Sequence, residues 1–261
     1  MKRQILTGIL ALATGMTALM AQPAQPAQQQ QGKQGLVPNT KSPGESQAVV
    51  ALMQAQGNPD AMIKAADELV QKYSDSFYKE TALLFEANAY KEKGDTAKAQ
   101  IYGEEVLKVN PKNYQITNML GTMIVQQTRE NDLDKEEKLA KAEKYFNATI
   151  EDLKTAQKPR PDLSDSDWAQ GQKILIAEAH NGLGMAALAR KKYDVAIAEF
   201  KTAVDADSGE PAYQVRLASA LLSAGKNDEA AAVCDKVLAN PQLHPQIKAV
   251  AQNIKAQATK K

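Results

Sequence analysis

The sequence predicts an all-α protein built as a solenoid of antiparallel helix pairs and closed by a C-terminal capping helix. Three observations predict it. Aromatic residues make up only 5% of the 261 residues, while Ala, Leu, Lys, Glu and Gln abound, a mixture that favours helices in close contact and lacks the β-branched runs of strands. Small residues recur in register on a frame of about 34 residues. Gly and Pro fall in phase with that frame, where chain reversals are needed.

The clearest unit spans residues 80–113. Its centre reads Leu84-Phe85-Glu86-Ala87-Asn88-Ala89-Tyr90, followed by Lys93-Gly94-Asp95, Ala99 and Val109-Asn110-Pro111. Ala87 and Ala99 supply small side chains where two helices cross, with Tyr90 the large residue near them. Gly94 permits a positive φ after the first helix, and Pro111 cannot continue the second. In residues 177–210 the corresponding positions are Leu183-Gly184, Tyr193, Ala196, Phe200 and Ala203. Residues 211–243 carry Leu217-Ala218, Gly225, Ala230, Val237-Leu238 and Pro241. Residues 114–156 carry Leu120-Gly121, Ala142, Phe146 and Ile150, with an insertion between the two small positions. Residues 43–76 form a degenerate first unit with Val49, Gly57, Leu69-Val70 and Tyr73, where Met62 replaces the small residue of the second helix.

These motifs resemble the tetratricopeptide repeat (TPR), a 34-residue helix–turn–helix, over most of residues 43–243. The resemblance implies a right-handed superhelix of five TPR-like repeats. Residues 244–261 follow as a capping helix and tail, with Ile247, Val250, Ala251 and Ile254 expected on its apolar face. Two stretches depart from the frame. Gln127 to Glu137 is rich in both charge signs and is expected to lengthen the helices and expose a charged turn. Residues 157–176 hold Lys158-Pro159-Arg160-Pro161, which must be extended. Ser164 or Ser166 then caps a helix from about Asp167 to Arg190. Trp168, at the start of that helix, is read either as an exposed anchor for a partner or, preferentially, as packing for the protruding turn.

Residues 1–21 have the layout of a secretory signal peptide: Lys2 and Arg3, an apolar run from Ile5 to Met20, and Ala21 at the exit. The expected product is an exported protein, periplasmic or extracellular, with no stable membrane span after cleavage. Residues 22–42, dominated by Gln and Pro, are expected to form a disordered linker.

The charge balance, 32 Lys+Arg against 31 Asp+Glu, offers no basic field for a phosphate backbone, so nucleic acid is not an expected partner. The single cysteine, Cys234, excludes an intrachain disulfide and reads as a buried core thiol. His180 and His244 share no ligand set, and His180 reads as a polar or semi-buried helix residue. The chain has no phosphate loop, cysteine pair or nucleophile elbow. Asn147-Ala148-Thr149 matches a glycosylation acceptor inside a predicted helix, and Lys135 to Lys144 reads as a solvated helix face with i,i+4 pairs. No catalytic residue, metal site or cofactor is therefore expected, and the protein reads as a non-enzymatic, monomeric scaffold.

In the family the sequence resembles, ligands lie along the concave groove formed by the first helices of successive repeats. Carried over by position, that groove comprises Leu84, Asn88 and Lys91, then Asn118, Thr122 and Val125. It continues through Asn181, Met185 and Leu188 to Val215, Ser219 and Leu222. This set mixes amides, hydroxyls and medium apolar side chains, which suits a helix or extended peptide of a protein partner. Only Asn88 and Lys91 match the Lys/Asn/Arg pattern that clamps a terminal carboxylate. Two other readings remain: an envelope glycan or solute binder, or regulatory subunit of an enzyme system, and a self-associating structural protein.

Overall fold

The computed structural model describes residues 36–260. The expected signal peptide, and the Gln/Pro-rich segment as far as residue 35, lie outside the described residues. Eleven helices and no strands occur among the described residues. They fall into two compact units, the first ending at Pro111 and the second beginning at Lys112.

The first unit holds α1 (Pro43–Gln54), α2 (Pro59–Lys72), α3 (Lys79–Glu92) and α4 (Thr96–Val109). Consecutive helices pack on one another, and connections of a few residues force them antiparallel. Each start is written locally. Proline occupies the first turn of α1 and α2, where its missing N–H is no loss. Ser42 and Asn58 accept hydrogen bonds from the backbone N–H groups of Glu45 and Ala61. Residues 37–42 are tied down as well: Val37 N–H donates to Ser46 Oγ, Lys41 N–H to the Glu45 carboxylate, and the Tyr78 hydroxyl to Pro38 O. The core gathers Val49, Leu52, Ala66, Leu69, Ala82 and Phe85. Met62 is buried with them, filling the volume that a small residue leaves in the other repeats.

The second unit holds α5 (Tyr114–Gln127), α6 (Lys135–Thr155), α7 (Asp165–Ala189), α8 (Tyr193–Ala206), α9 (Pro211–Ser223), α10 (Asn227–Leu238) and α11 (Pro245–Ala258). Aromatic rings of the second helices enter gaps left by glycine on the first. Phe146 of α6 lies against Gly121 and Gly182, and Phe200 of α8 against Gly184. The charged insertion shows both expected features: α6 extends to 21 residues, and residues 128–134 form an exposed turn. Lys135 pairs with Glu130, and Lys138 with Asp132 and, at i,i+4 spacing, with Asp134. Leu139 and Ala142, inside the run from Lys135 to Lys144, are fully buried.

Ser164 is the N-cap of α7, accepting from Asp167 N–H. Trp168 takes the packing role, buried against Leu153 and Leu175 with its ring 6.2 Å from that of Tyr114. Thr149 of the apparent glycosylation acceptor is wholly buried, its hydroxyl 2.8 Å from that of Thr117. Cys234 is buried, which pushes its thiol up from the ordinary range.

One expectation for α11 needs correction. Its buried stripe runs through Ala251, Ile254 and Ala258, with Ile247 half-buried, whereas Val250 is half exposed. The 3.6-residue period sets Val250 at the edge of that stripe, outside the contact with α9 and α10.

Candidate functional site

The twelve groove positions fall on both units. In the first unit Leu84 is buried, Asn88 is half-buried and spends a side-chain N–H on Leu84 O, 2.8 Å away, and Lys91 is exposed. In the second unit the positions lie on α5, α7 and α9. Asn118 and Val125 are buried and Thr122 half-buried. Asn181, Met185 and Leu188 are half-buried, as are Ser219 and Leu222, while Val215 is buried. Leu84, Val125 and Val215 thus serve the core. The half-exposed set is more polar than the sequence suggested.

Two side-chain hydrogen bonds join the first helices of three successive pairs. Asn118 Nδ2 on α5 donates to Glu178 Oε2 on α7 at 2.7 Å. Arg216 Nη1 on α9 donates to Asn181 Oδ1 on α7 at 2.9 Å. Asn181 Nδ2 in turn points at Met185 Sδ, 3.9 Å away.

Two polar groups in this row have bonding capacity left over. Asn118 Oδ1 is buried without a hydrogen-bond partner, and a buried amide oxygen left so is costly. Arg216 spends Nη1 on a neutral amide, that of Asn181, and not on a carboxylate. Burial pulls its guanidinium down from the ordinary value, with Tyr213 and Glu210 opposing. Tyr213 is raised, first by its own burial and then by Glu178. The row therefore offers an acceptor at Asn118 and spare donors at Arg216.

Glu178 and Arg216 escaped the sequence reading, although each lies within one helical turn of a named position. Their charge did not match the low-charge groove inferred from the repeat frame. His180, on the same helix, is half-buried, with its Nδ1 2.7 Å from Glu199 Oε2 on α8. Among the described residues no group of three or more His, Cys, Asp or Glu side chains is placed to hold a metal ion. Nor is any helix there long and apolar enough to cross a membrane.

Comparison with known proteins agrees with the fold. Tetratricopeptide-repeat models match residues 81–113 and 181–245. No curated protein matches the chain in sequence. Among solved structures, TTC0263, a thermophilic TPR protein of Thermus thermophilus, is 18% identical with a TM-score of 0.53, covering 80% of this chain and 98% of its own. MamA (41-end) from Desulfovibrio magneticus RS-1 is 16% identical with a TM-score of 0.58, covering 76% of this chain and 96% of its own. At such identities the likeness is one of fold. The matched repeats, the packed helix pairs and the small residues at their crossings together identify tetratricopeptide repeats in residues 81–113 and 181–245, within a fold like that of TPR proteins.

Proposed function

We propose that the protein is an exported, monomeric, non-enzymatic scaffold that takes a peptide or helix of a protein partner along α5, α7 and α9. The family's fold suggests an interaction scaffold. One observation supports this particular face: Asn118 Oδ1 and the Arg216 guanidinium keep unused hydrogen-bonding capacity in a row of half-buried side chains. An extended or helical segment offers both donors and acceptors, and so complements such a row. Met185, Leu188 and Leu222 beside it supply modest apolar contact.

The test places photo-crosslinking residues at Thr122 and Ser219, with Lys201 on α8 as control, in the full chain carried by its native cells. Adducts to one protein at the first two sites, lost in a variant carrying Asn181→Glu and Met185→Glu with unchanged melting, support the groove. Equal adducts in that variant, or adducts at Lys201 alone, overturn it. Export rests on Lys2, Arg3 and the apolar run that follows. N-terminal sequencing of the protein from its own cells is expected to begin at Gln22, and an intact Met1 would refute cleavage.

A further inference from the structure

The first unit contains an open cavity of about 600 Å³ between α2, the end of α3 and the start of α4. Asp60, Lys64, Asp67, Glu68, Tyr90 and Lys98 are among its walls. Glu86, one turn before Tyr90 on α3, is not itself a wall residue but lies buried behind Asp67 and Lys98, which are; it is 1% exposed, and neither of its carboxyl oxygens has a hydrogen-bond partner. A carboxyl group buried so completely and left unbonded carries a large desolvation cost. The groups facing it are Asp67 from α2 and Tyr102 and Lys98 from α4. Tyr102 and Asp67 are near enough to influence its charge, yet neither meets hydrogen-bond geometry.

The lysines around the cavity are unequally engaged. Lys72 is paired with Glu68, and Lys93 with Asp60. Lys98 holds Asp95 only at 4.0 Å, and its ammonium sits 4.9 Å from the centre of the Tyr90 ring. That ring is stacked on Tyr102 at 5.2 Å, nearly parallel. An aromatic face that already receives an ammonium therefore shares the cavity wall with Asp67, and the Glu86 carboxyl lies buried behind that wall, near Asp67. Carboxylate and ring face together are the usual means of holding an organic ammonium ion.

We propose that this cavity binds a small primary-ammonium compound, its ammonium group between Glu86 and Asp67 on the face of Tyr90 with Lys98 displaced. The site lies on helices other than those of the groove proposed above, so either can fail without the other. Burial holds Glu86 protonated up to about pH 8, with Asp67 adding to the shift and Tyr102 and Lys98 opposing it. An arriving ammonium ion stabilises the carboxylate, so its binding releases a proton into neutral solution.

The test is calorimetric titration of the full chain with 1,5-diaminopentane, and with hexanoate as the anionic counterpart. Saturable binding of the diamine is expected, tightening from pH 6 to pH 8. Heats that differ between buffers of unlike ionisation enthalpy would register the released proton. Glu86→Gln, nearly isosteric, is expected to weaken binding at least tenfold with no fall in melting temperature, and Asp67→Asn to weaken it independently should Glu86→Gln prove unstable. Lys98→Ala is expected to bind at least as tightly as the parent. No diamine binding up to about 10 mM, equal affinity in Glu86→Gln and Asp67→Asn, or binding of hexanoate in its place overturns the proposal.

Discussion

Phe146 fills the space that a side chain at Gly182 would need: a Cβ built there meets the ring at 2.1 Å. The same ring lies 2.9 Å from a Cβ at Gly121. Phe146 is fully buried between α5 and α7, so the ring has no free volume into which to withdraw. Gly182→Ala is therefore expected to destabilise the chain by about 3 kcal/mol, and Gly121→Ala by about 1 kcal/mol. The double variant Gly182→Ala/Phe146→Leu is expected to recover at least about 1 kcal/mol relative to the sum of the single changes. Urea denaturation of the four proteins decides this, and strict additivity would deny the contact.

Three interhelical turns repeat one hydrogen-bond pattern with one residue exchanged. Gly94, Lys191 and Gly225 all adopt positive φ, at 75°, 60° and 75°. Each donates its N–H three residues back, and the next residue bonds five back: Asp95 to Tyr90, Lys192 to Ala187, Lys226 to Leu221. Lysine is strained in that conformation, whereas glycine is not. Lys191→Gly is expected to raise stability by about 0.5–1 kcal/mol, read as an increase in Tm. The ion pair it removes, Lys191 to Glu130, is well exposed and contributes little. A fall in Tm would show that this ion pair outweighs the strain.

Glu86 gives stability a pH dependence of definite sign. Its carboxyl is held at about 8 in the folded protein, against an ordinary 4.5. Between these values the folded chain keeps a proton that the unfolded chain has released. Stability therefore falls as pH rises through that window, by at most about 1.4 kcal/mol per pH unit from this group, and the loss is complete above pH 8. Glu86→Gln removes this contribution. The stability of Glu86→Gln relative to the parent is expected to grow steadily from pH 5 to pH 8 in denaturant titrations. A pH-independent difference would place the titration elsewhere.

The repeat frame was readable because its positions answer to backbone needs. Gly94 and Gly225 mark turns, Ala87, Ala99, Ala196 and Ala230 mark crossings, and Pro111 marks an end; each residue type follows from local sterics. Lys191 hid the equivalent turn because a strained residue carries no such mark. Gly121 and Gly184 were legible as small positions, but that Phe146 also reaches Gly182 depends on how α6 lies across α7. The groove was less legible still. Repeat position alone does not say that Val125 and Val215 turn inward, nor that Arg216 and Glu178 come forward to bond with neighbouring first helices. Glu86 reads in the sequence as an ordinary helix residue. Its burial arises from Asp67 and Tyr102, which approach from helices on either side.

Arg190 ties the end of α7 to α6. Its side chain is 9% exposed and bonds two carboxylates of α6, Glu136 at 2.7 Å and Glu143 at 2.5 Å. It sits at the end of α7, where a cation also favours the helix dipole. Two partners on one rigid guanidinium share the entropy of fixing it, so the cluster contributes more than an isolated surface pair. The carboxylates themselves are open to water, and Glu136 is lowered chiefly by its bond to Arg190. Removing the arginine therefore leaves no charge stranded in the core. Arg190→Met, which preserves most of the packed stem, is expected to cost about 1–2 kcal/mol. In a cycle with Glu143→Gln the two changes should couple by about 1 kcal/mol. The coupling should weaken only modestly in 1 M NaCl, because the guanidinium is shielded from solvent. Full loss of coupling in salt would mean that the pair behaves as an exposed one.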